Sequence, residues 1–539
     1  MEYYSSYKTS LKDLSFGELK HLFDKDIVNE KIINNNRAID GDIVYIKDDN
    51  VVGIKERNLE LISGILHLDN NQKYGFTKRN IPYFKFTSIS YKFPNFIVPC
   101  KSKLKKKLYC VIKFNKWDTK NRHPIGQIEY LIGPVGDMQN EIDILLYHTK
   151  IYPKKNKITY IKTQEELTPE YDTFSIDPPN CKDIDDALHF HKSDNFVEIG
   201  IHIANVSRYI DSLKTDFFST IYLNDKQINM LDDNFTYQVC SLGNGEPKKA
   251  LSLILKYDNF KLIEYKFKET IVRNKAMSYG EVDEIILKNK NSKILDLYNF
   301  TLKIKDLDDI PSTKLVEHYM ILYNKLFAET LFKTNPYTIF RSHKIKHIDN
   351  IKIDSRLQKY LHNINQESAI YTYNTDDTFH EDLGLKYYTH ATSPIRRYID
   401  IINHKNMINY LENNKYYSLD NLDKINLFQK KARKFYNYYK KLNLIFNFPE
   451  NQIYDAFIIG IQNLKVSIFI PELDIEHSFK IISEKLLEIK HVIMSDDNIA
   501  IENIKFSIYD KIKIKLTPLP YEHIFNKKLH VEIINLEDH

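Results

Sequence analysis

The 539-residue sequence has few cysteines, few glycines and no long hydrophobic segment. Its four cysteines form no CxxC pair and are too few for a disulfide framework or a cysteine-based zinc site. We therefore expect no disulfides and a reducing, intracellular location. No segment approaches the roughly 20 apolar residues that span a bilayer, and the first residues do not resemble a signal peptide. These absences predict a cytoplasmic protein without membrane contact.

Neither sign of charge dominates, because 77 Lys and Arg face 72 Asp and Glu, a formal net charge of +5. Any nucleic-acid affinity must then come from local patches and not from a globally basic surface. The lysine run within residues 101–107 is either such a patch or a solvated hairpin edge. The 38 Tyr and 30 Phe accompany an excess of Asn, Lys and Ile, so aromatic content alone does not indicate base stacking.

The length exceeds what one hydrophobic core normally serves, which predicts several domains. Residues before about 160 and after about 450 consist of short apolar runs broken by polar turns, a pattern typical of small β-barrels. The middle of the chain carries longer helical patterns. There is no internal repeat and no Pro- or Gly-rich linker to mark the borders.

Residues 175–188 crowd four carboxylates, Asp177, Asp183, Asp185 and Asp186, into one turn and the strand predicted after it. Like charges so close together are stable if divalent cations neutralise them or if some groups stay protonated. Oxygen ligands without a Cys or His cluster favour Mg²⁺ or Mn²⁺ over zinc. A solvated acidic turn or a calcium loop is the alternative, although an EF-hand loop also needs Gly at its sixth position and Glu at its twelfth.

Residues 392–402 read as the start of a helix. Thr392 or Ser393 can cap it, Pro394 suits its first turn, and an apolar stripe follows. Arg396 and Arg397 would then oppose the helix dipole, and a bound phosphate would compensate them. The alternative is pairing with Asp400, three or four positions later.

Together with other segments, these two resemble the ribonuclease II (RNB) family of exoribonucleases. The matching blocks follow in family order over about half of the chain, at residues 175–188, 198–207, 222–242, 271–279, 315–324 and 388–400. Trp117, residues 124–137 and Glu141 resemble the eukaryotic, exosome-type branch.

The resemblance implies a multi-domain α+β protein. It places a short cold-shock-like OB barrel at 1–56, a second cold-shock-like OB barrel at 57–160, an α/β RNB catalytic domain at 161–450, and a C-terminal OB-type RNA-binding barrel at 451–539. The chain begins too close to the first barrel for the N-terminal endonuclease domain of the largest eukaryotic members.

The resemblance also implies a processive, hydrolytic 3′→5′ exoribonuclease that degrades single-stranded RNA to nucleoside 5′-monophosphates with two Mg²⁺ ions, for which Mn²⁺ can substitute. The protein would act as a monomer, with membership of a larger RNA-decay complex left open. The implied metal ligands are Asp177, Asp183, Asp185 and Asp186, and activity depends most on Asp185.

The remaining implied roles concern RNA. Arg396 neutralises charge on the scissile phosphate, Tyr222 packs near the terminal nucleotides, and Tyr279 and Glu317 contact bases or ribose. Arg397 is assigned to RNA binding or to support of the fold. Core packing is the alternative for both tyrosines.

The sequence departs from the family pattern at several positions, without losing a predicted metal ligand; these are Asn205, Asp232, Lys249, His318 and Ala391. Asn205 stands where the family usually has Asp, which removes a charge near the predicted metal site. Two other functions stay open: a catalytically silent RNB-fold module for RNA binding or assembly, and a metal-dependent nuclease that acts on DNA.

Overall fold

The structure of the chain is a computed structural model. It describes residues 3–9, 17–21, 36–47, 50–57, 61–90, 92–118, 121–152, 157–161, 167–243, 245–345, 353–373, 378–419, 422–447, 452–462, 465–480, 492–494, 498–501, 504–522 and 527–534. The chain divides into two compact units. The first comprises Met1–Ile151, Ile351–Tyr360 and Lys431–His539, and the second comprises Tyr152–Asn350 and Leu361–Lys430.

The strands are β1 (Tyr3–Thr9), β2 (Gly17–His21), β3 (Ile43–Lys47), β4 (Asn50–Glu56), β5 (Ile62–His67), β6 (Tyr83–Ser88), β7 (Phe96–Pro99), β8 (Lys107–Lys116), β9 (Ile125–Pro134), β10 (Lys157–Tyr160), β11 (Tyr171–Asp177), β12 (Asp186–Lys192), β13 (Val197–Ala204), β14 (Ile210–Lys214), β15 (Ile221–Tyr222), β16 (Gln227–Ile228), β17 (Lys248–Asp258), β18 (Lys261–Ser278), β19 (Phe340–Ser342), β20 (Ile370–Thr372), β21 (Ile453–Gln462), β22 (Lys465–Ile470), β23 (Ile475–Lys480), β24 (Val492–Met494), β25 (Asn498–Ile501), β26 (Ile504–Ser507), β27 (Lys511–Pro518) and β28 (Leu529–Ile533). The α-helices of the described chain are α1 (Met138–His148), α2 (Tyr279–Leu287), α3 (Lys293–Lys305), α4 (Ser312–Phe332), α5 (Ser355–Asn365), α6 (Tyr398–Leu411) and α7 (Leu422–Phe446).

The described part of the first unit contains four β structures, as the short apolar runs at both ends of the chain predict; one of them is a three-stranded sheet of order β24-β25-β26. A four-stranded sheet has the order β2-β1-β3-β4, and a closed barrel has the order β5-β6-β7-β9-β8. A five-stranded sheet of order β23-β22-β21-β27-β28 is formed near the C-terminus. Alternating apolar residues build each core because successive side chains of a strand point to opposite faces; in the closed barrel Phe86, Phe96 and Leu108 are fully buried.

A buried ion pair joins α1 to the segment before β28 within this unit. Lys528 Nζ lies 2.9 Å from Glu141 Oε1, and both side chains are 0% exposed. The carboxylate of Glu141 also accepts hydrogen bonds from the Tyr109 hydroxyl, 2.9 Å from Oε2, and from the Gly136 amide, 3.1 Å from Oε1. The Lys528 ammonium donates in addition to the carbonyls of Pro520 and Glu522. A charge pair buried this deeply is tolerated because its polar atoms are hydrogen-bonded.

The second unit is organised by a closed barrel of β11, β12, β13, β17 and β18, in which β11 runs parallel to β18 and the other pairs are antiparallel. One set of alternating strand residues, which includes Ile201 and Leu253, packs with helices α3 and α4 in the hydrophobic core. Tyr319 of α4 belongs to the same core. This two-layer packing of an amphipathic barrel wall against helices gives the α/β character that the middle of the chain predicts.

The other set of alternating residues in this barrel is polar and is buried as well. His189 Nδ1 lies 2.8 Å from His202 Nε2, and His202 Nδ1 lies 2.7 Å from the hydroxyl of Ser252. Ser252 Oγ in turn lies 2.6 Å from the hydroxyl of Thr270. Gly200 makes room for the two imidazoles, since a Cβ at this position would lie 2.3 Å from His189 Nδ1. The barrel therefore carries a hydrogen-bonded polar chain, which ends at His189, whose Nε2 has no hydrogen-bond partner but lies 3.3 Å from Glu198 Oε1.

All four cysteines are free, and three of them are buried. None of the helices in the described part of the chain combines the length and the apolar composition needed to cross a membrane.

Candidate active site

The four aspartates lie where β11 leads into β12. Asp177 is the last residue of β11, and Asp186 is the first residue of β12. A turn follows Asp177, in which the Cys181 amide donates to the Pro178 carbonyl over 3.2 Å. The turn predicted at the two prolines is therefore present. The extended strand expected through Asp183 and Asp185 is not, because β12 begins only at Asp186.

Asp185 is buried and both of its carboxylate oxygens are engaged. Oδ1 accepts a hydrogen bond of 2.9 Å from the Ile395 amide, and Oδ2 accepts one of 3.1 Å from Nε of Arg396. Arg396 is also held by Ser393, whose hydroxyl accepts from Nη2 over 2.7 Å. The acidic segment and the arginine segment, which the sequence analysis treated separately, thus meet at Asp185.

Asp183 is held by Tyr222, which lies in the short strand β15. The Tyr222 hydroxyl donates to Asp183 Oδ2 over 2.6 Å, and the thiol of Cys181 lies 3.7 Å from Oδ1. Burial, followed by the hydrogen bond to the Asp183 carboxylate, raises the pKa of Tyr222 above its usual range, so this hydroxyl stays protonated and donates. The aromatic ring remains 38% exposed and accessible to a ligand.

Asp177 and Asp186 are the less satisfied members of the cluster. Asp177 Oδ2 is buried and has no hydrogen-bond partner. Burial raises the pKa of Asp177 to about 6, and that of Asp186, next to the charges of Asp177 and Asp185, to about 8. Burial also raises the pKa of Asp185 to about 7. The positive charge of Arg396 lowers all three pKa values, but by less than burial raises them. The cluster therefore holds more negative charge than the protein itself compensates.

These side chains fit a hard divalent cation in the chemistry of their donors. All are carboxylates, the ligands that Mg²⁺ prefers, and the buried Asp177 Oδ2 is free to coordinate. Among the described residues, however, no three His, Cys, Asp or Glu side chains converge into a set that could hold a metal ion as they stand. Asp183 and Asp185 already accept hydrogen bonds from Tyr222 and Arg396.

Arg397 has a different environment from Arg396. Its Nη2 donates to Asp400 Oδ2 over 2.8 Å, and the same oxygen accepts from the Ser393 amide over 2.8 Å. Asp400 is 0% exposed. The pairing with Asp400 that was the alternative for both arginines is thus made by Arg397, while Arg396 turns to Asp185.

The helix predicted to start at residues 392–394 starts later. Helix α6 begins at Tyr398, Arg397 occupies the N-cap position, and no side chain caps the helix. The reason lies in tertiary contacts. The Ser393 amide donates to the Asp400 carboxylate, and the Thr220 amide donates to the Arg396 carbonyl. Arg397 and Ser219 also form an isolated antiparallel β-bridge. These contacts hold residues 393–397 in a turn, so the two arginines precede the helix.

Tyr279 and Glu317 have different positions relative to the cluster. Tyr279 opens α2, which is capped by Ser278. Burial, then the charges of Asp186 and Asp177, raise the pKa of Tyr279, which puts its hydroxyl near these carboxylates. Glu317 lies on the exposed face of α4 and pairs with Lys314 over 2.6 Å. No described interaction links Glu317 to the aspartates, so the structure does not bring this predicted RNA contact to the cluster.

The side-chain amide of Asn205, which replaces the usual family aspartate, both donates and accepts a hydrogen bond. Its Nδ2 donates to Glu269 Oε1 over 2.8 Å, and its Oδ1 accepts from the Ser207 hydroxyl over 3.0 Å. An aspartate could not donate to Glu269. The departure is therefore matched by a local partner that needs a neutral donor.

Sequence reasoning missed Ser175 and Asn274, which are buried beside the aspartates. A signal was present, because polar residues at 173, 175 and 177 alternate along β11 and so share one face of the strand. No pattern in the sequence pointed to Asn274 on β18.

Comparisons with known proteins agree with this architecture. Residues 165–309 and 296–413 match the RNB domain, and residues 83–150 match the Dis3-like cold-shock domain 2 (CSD2). The exosome complex exonuclease RRP44 of Homo sapiens is 24% identical over 79% of this chain and 55% of the relative. Ribonuclease R of Chlamydia pneumoniae is 28% identical over 44% of this chain and 46% of the relative. The chain thus spans about half the length of these curated relatives.

Two solved structures share the fold over nearly the whole chain. Mycoplasma genitalium RNase R in complex with ribose methylated single-stranded RNA has a TM-score of 0.74 and 17% identity, and covers 99% of this chain and 100% of the other. Yeast Ssd1, described as a pseudonuclease, has a TM-score of 0.65 and 15% identity, and covers 99% of this chain and 97% of the other. At these identities the likeness concerns the fold alone. With the RNB match extending from residue 165 to 413 and the cold-shock match before it, the chain belongs to the RNB family.

Proposed function

We propose that this protein is a metal-dependent 3′→5′ exoribonuclease that degrades single-stranded RNA processively to nucleoside 5′-monophosphates. The observation that carries the proposal is the cluster of four aspartates, two of them buried and two partly buried, which is joined to Arg396 through Asp185 in a chain of the RNB family. Burial of uncompensated carboxylates is costly, and such groups persist where a cation or a reaction uses them.

The cluster would bind two Mg²⁺ ions, which supply an activated water and stabilise the departing 3′ oxygen. Asp177 and Asp186 offer the less engaged oxygens, and Asp183 and Asp185 would complete the ligand set. Arg396 is suited to the scissile phosphate, because its side chain is 43% exposed while that of its partner Asp185 is almost fully buried. A guanidinium presented in this way neutralises the charge that grows on the phosphate during attack.

The two tyrosines of the cluster suit RNA better than a small substrate. Tyr222 presents an exposed ring while its hydroxyl is fixed on Asp183, so the ring has a defined orientation. Tyr279, at the start of α2, interacts electrostatically with Asp186 and Asp177. Aromatic rings fixed beside a cation site can stack on the bases that flank the scissile bond.

A catalytically silent RNA-binding or assembly module is the second candidate. One structural neighbour, Ssd1, is described as a pseudonuclease and shares the fold over 97% of its length. The pairing of Asp185 with Arg396 and the absence of a converged ligand set among the described residues also suit this candidate. The presence of all four carboxylates favours the enzyme, because a binding module has no use for them.

A time course on 5′-labelled single-stranded RNA and the matching DNA tests the proposal. We expect the wild-type protein to shorten the RNA to a small labelled remnant in Mg²⁺ but not in EDTA, and to leave the DNA intact. The Asp185→Asn variant should bind the RNA without shortening it. Asp172→Asn is the matched control, because Asp172 lies on β11 like Asp177 but is exposed, and it should cleave like the wild type.

The outcomes separate the candidates. RNA that is bound but not shortened by the wild type in Mg²⁺ or Mn²⁺ contradicts the proposal and supports the silent module. Shortening of the DNA at the same rate supports a nuclease that does not select ribose.

A further inference from the structure

Asn274, on β18, is a buried residue whose amide has no assigned role. Thr173 lies directly opposite it in the parallel pair of β11 and β18. The Thr173 hydroxyl donates to Asn274 Oδ1 over 3.2 Å. Asn274 Nδ2 donates to Ser175 Oγ over 3.0 Å and to the Leu242 carbonyl over 2.8 Å. The amide therefore uses both of its protons and one oxygen lone pair inside the fold.

The orientation of this amide follows from its partners. A backbone carbonyl only accepts hydrogen bonds, so the atom that faces Leu242 O must be the nitrogen. Ser175 Oγ then receives the second proton of the same nitrogen. The direction of each hydrogen bond around Asn274 is thereby settled.

One arm of this arrangement leads to Asp177. Because Ser175 Oγ accepts from Asn274, the hydroxyl proton of Ser175 is free to point elsewhere, and Ser175 lies two residues before Asp177 on the same face of β11. Asp177 Oδ2 is buried and has no hydrogen-bond partner. Ser175, itself held by Asn274, is therefore the neighbour on this strand face of a carboxylate with one oxygen available to a ligand.

The other arm leads to the segment that carries the remaining aspartates. The Leu242 amide donates to the Ile184 carbonyl over 3.0 Å, and the Ser241 hydroxyl accepts from the Ile184 amide over 3.0 Å. Ile184 lies between Asp183 and Asp185. Both backbone groups of this central residue are therefore held by residues 241 and 242, and the carbonyl of Leu242 is held in turn by Asn274.

We infer that Asn274 is a positioning residue of the aspartate cluster, whose single amide sets Asp177 through Ser175 and the Asp183–Asp186 segment through Leu242. The inference rests on the proposed function, because it concerns the ligands of the proposed metal site. Side chains that orient ligands without touching the metal commonly change metal affinity or activity by about 10- to 100-fold when removed. Asn274 is placed to act in this way on two parts of the cluster at once.

Mn²⁺ binding to EDTA-treated protein, followed by the EPR signal of the free ion, tests the inference without relying on cleavage. We expect Asn274→Ala to weaken Mn²⁺ binding by about ten-fold or more. The Mg²⁺ concentration for half-maximal RNA cleavage should rise by a similar factor. Ser175→Ala breaks only the arm to Asp177 and should weaken binding by a smaller factor.

Asn406→Ala is the matched control. Asn406 is also a fully buried amide in the second unit, and it binds the backbone of Tyr417 through both Oδ1, at 2.7 Å, and Nδ2, at 3.2 Å. Both asparagine variants should lower the unfolding temperature, because both remove buried hydrogen bonds. Asn406→Ala should keep the Mn²⁺ affinity of the wild type.

A wild-type Mn²⁺ affinity in Asn274→Ala, together with a lowered unfolding temperature, would overturn the inference and leave Asn274 a purely structural residue. If this variant does not fold, a wild-type affinity in Ser175→Ala overturns it in the same way. These results leave the proposed function standing when the wild type cleaves RNA in Mg²⁺. A wild type that neither binds Mn²⁺ nor cleaves RNA overturns the proposed function, and the inference with it.

Discussion

Arg396 Nε lies 3.1 Å from Asp185 Oδ2, across 211 positions of sequence. The side chain of Asp185 is 5% exposed, whereas that of Arg396 is 43% exposed. The buried partner is therefore fixed by its surroundings, including the Ile395 amide, and the arginine is the partner that can move. An arginine that can exchange a carboxylate for a phosphate has a different role from one locked inside the fold, and this difference can be measured.

Arg396→Ala should lower the rate of RNA cleavage by about 10²- to 10³-fold, as expected when a donor to a developing charge is removed. Its unfolding temperature should fall less than that of Arg397→Ala, because Asp185 is still held by the Ile395 amide and, with its raised pKa of about 7, can take up a proton. Arg397→Ala should instead destabilise the fold by about 3–5 kcal/mol, because it leaves the fully buried Asp400 without its cation. Single-turnover cleavage and thermal unfolding of both variants test this; the opposite pattern would show that Arg397 serves the reaction.

Tyr222→Ala should lengthen the final RNA remnant, because the terminal bases lose an exposed stacking surface worth about 1–3 kcal/mol per base. Tyr222→Phe keeps the ring and removes only the hydroxyl that donates to Asp183. It should therefore keep the length of the remnant. Denaturing gels of the end products give the comparison. An equal change in both variants would mean that the hydroxyl, and not the ring, determines where degradation stops.

Stability should fall as the pH falls from about 6.5 to about 4. Among the described residues, burial lowers the pKa values of nine histidines. The pKa is lowered to about 4 in six of them, His148, His189, His318, His380, His404 and His477, and in the same direction in His123, His202 and His390. Between these pH values the unfolded chain binds more protons than the folded chain. Each histidine involved contributes a slope of at most about 1.4 kcal/mol per pH unit.

The raised pKa values of Asp177, Asp185 and Asp186 act in the opposite direction, because the folded protein then binds more protons than the unfolded chain. Urea unfolding from pH 8 to pH 4 should therefore be compared between the wild type and a variant with Asn at all three positions. The free energy of unfolding should decrease more steeply with falling pH in the variant than in the wild type. A stability that is flat with pH in that variant would contradict neutral buried histidines.

Lys528→Met should destabilise the first unit by about 3–5 kcal/mol, because it leaves the carboxylate of Glu141 buried without its cation. Adding Glu141→Gln should recover part of this loss, since the unpaired charge is then removed. Lys113→Met is the control, because Lys113 pairs with Glu129 at the surface of the same unit and should cost less than about 1 kcal/mol. Equal effects of Lys528→Met and Lys113→Met in urea unfolding would contradict the importance of burial.

Local patterns predicted the family and the architecture, because alternating apolar residues, turn residues and motif spacing are properties of short segments. The β-barrels and the crowding of the aspartates follow from such segments. The start of α6 was predicted wrongly for the same reason. The capping pattern at Thr392 and Ser393 is local, whereas the Ser393 amide is bound by Asp400 and the next residues by the segment before β15.

The sequence could not predict the contacts that complete the site. The pairing of Asp185 with Arg396, and the two arms of Asn274, join segments that are far apart in sequence and meet only in the folded chain. Glu317 illustrates the converse, because it matches a family motif and yet faces solvent beside Lys314. The roles of the individual site residues stay predictions until the variants are measured.

The Glu141–Lys528 pair also affects when the first unit can complete its folding during synthesis. A ribosome makes Glu141 387 positions before Lys528, so at about 5–20 residues per second the carboxylate waits on the order of 20–80 s for its cation. During that interval the barrel of β5 to β9 with α1 is already synthesised but lacks the partner of a buried charge. This barrel therefore cannot reach its final stability until the residue before β28 has been synthesised.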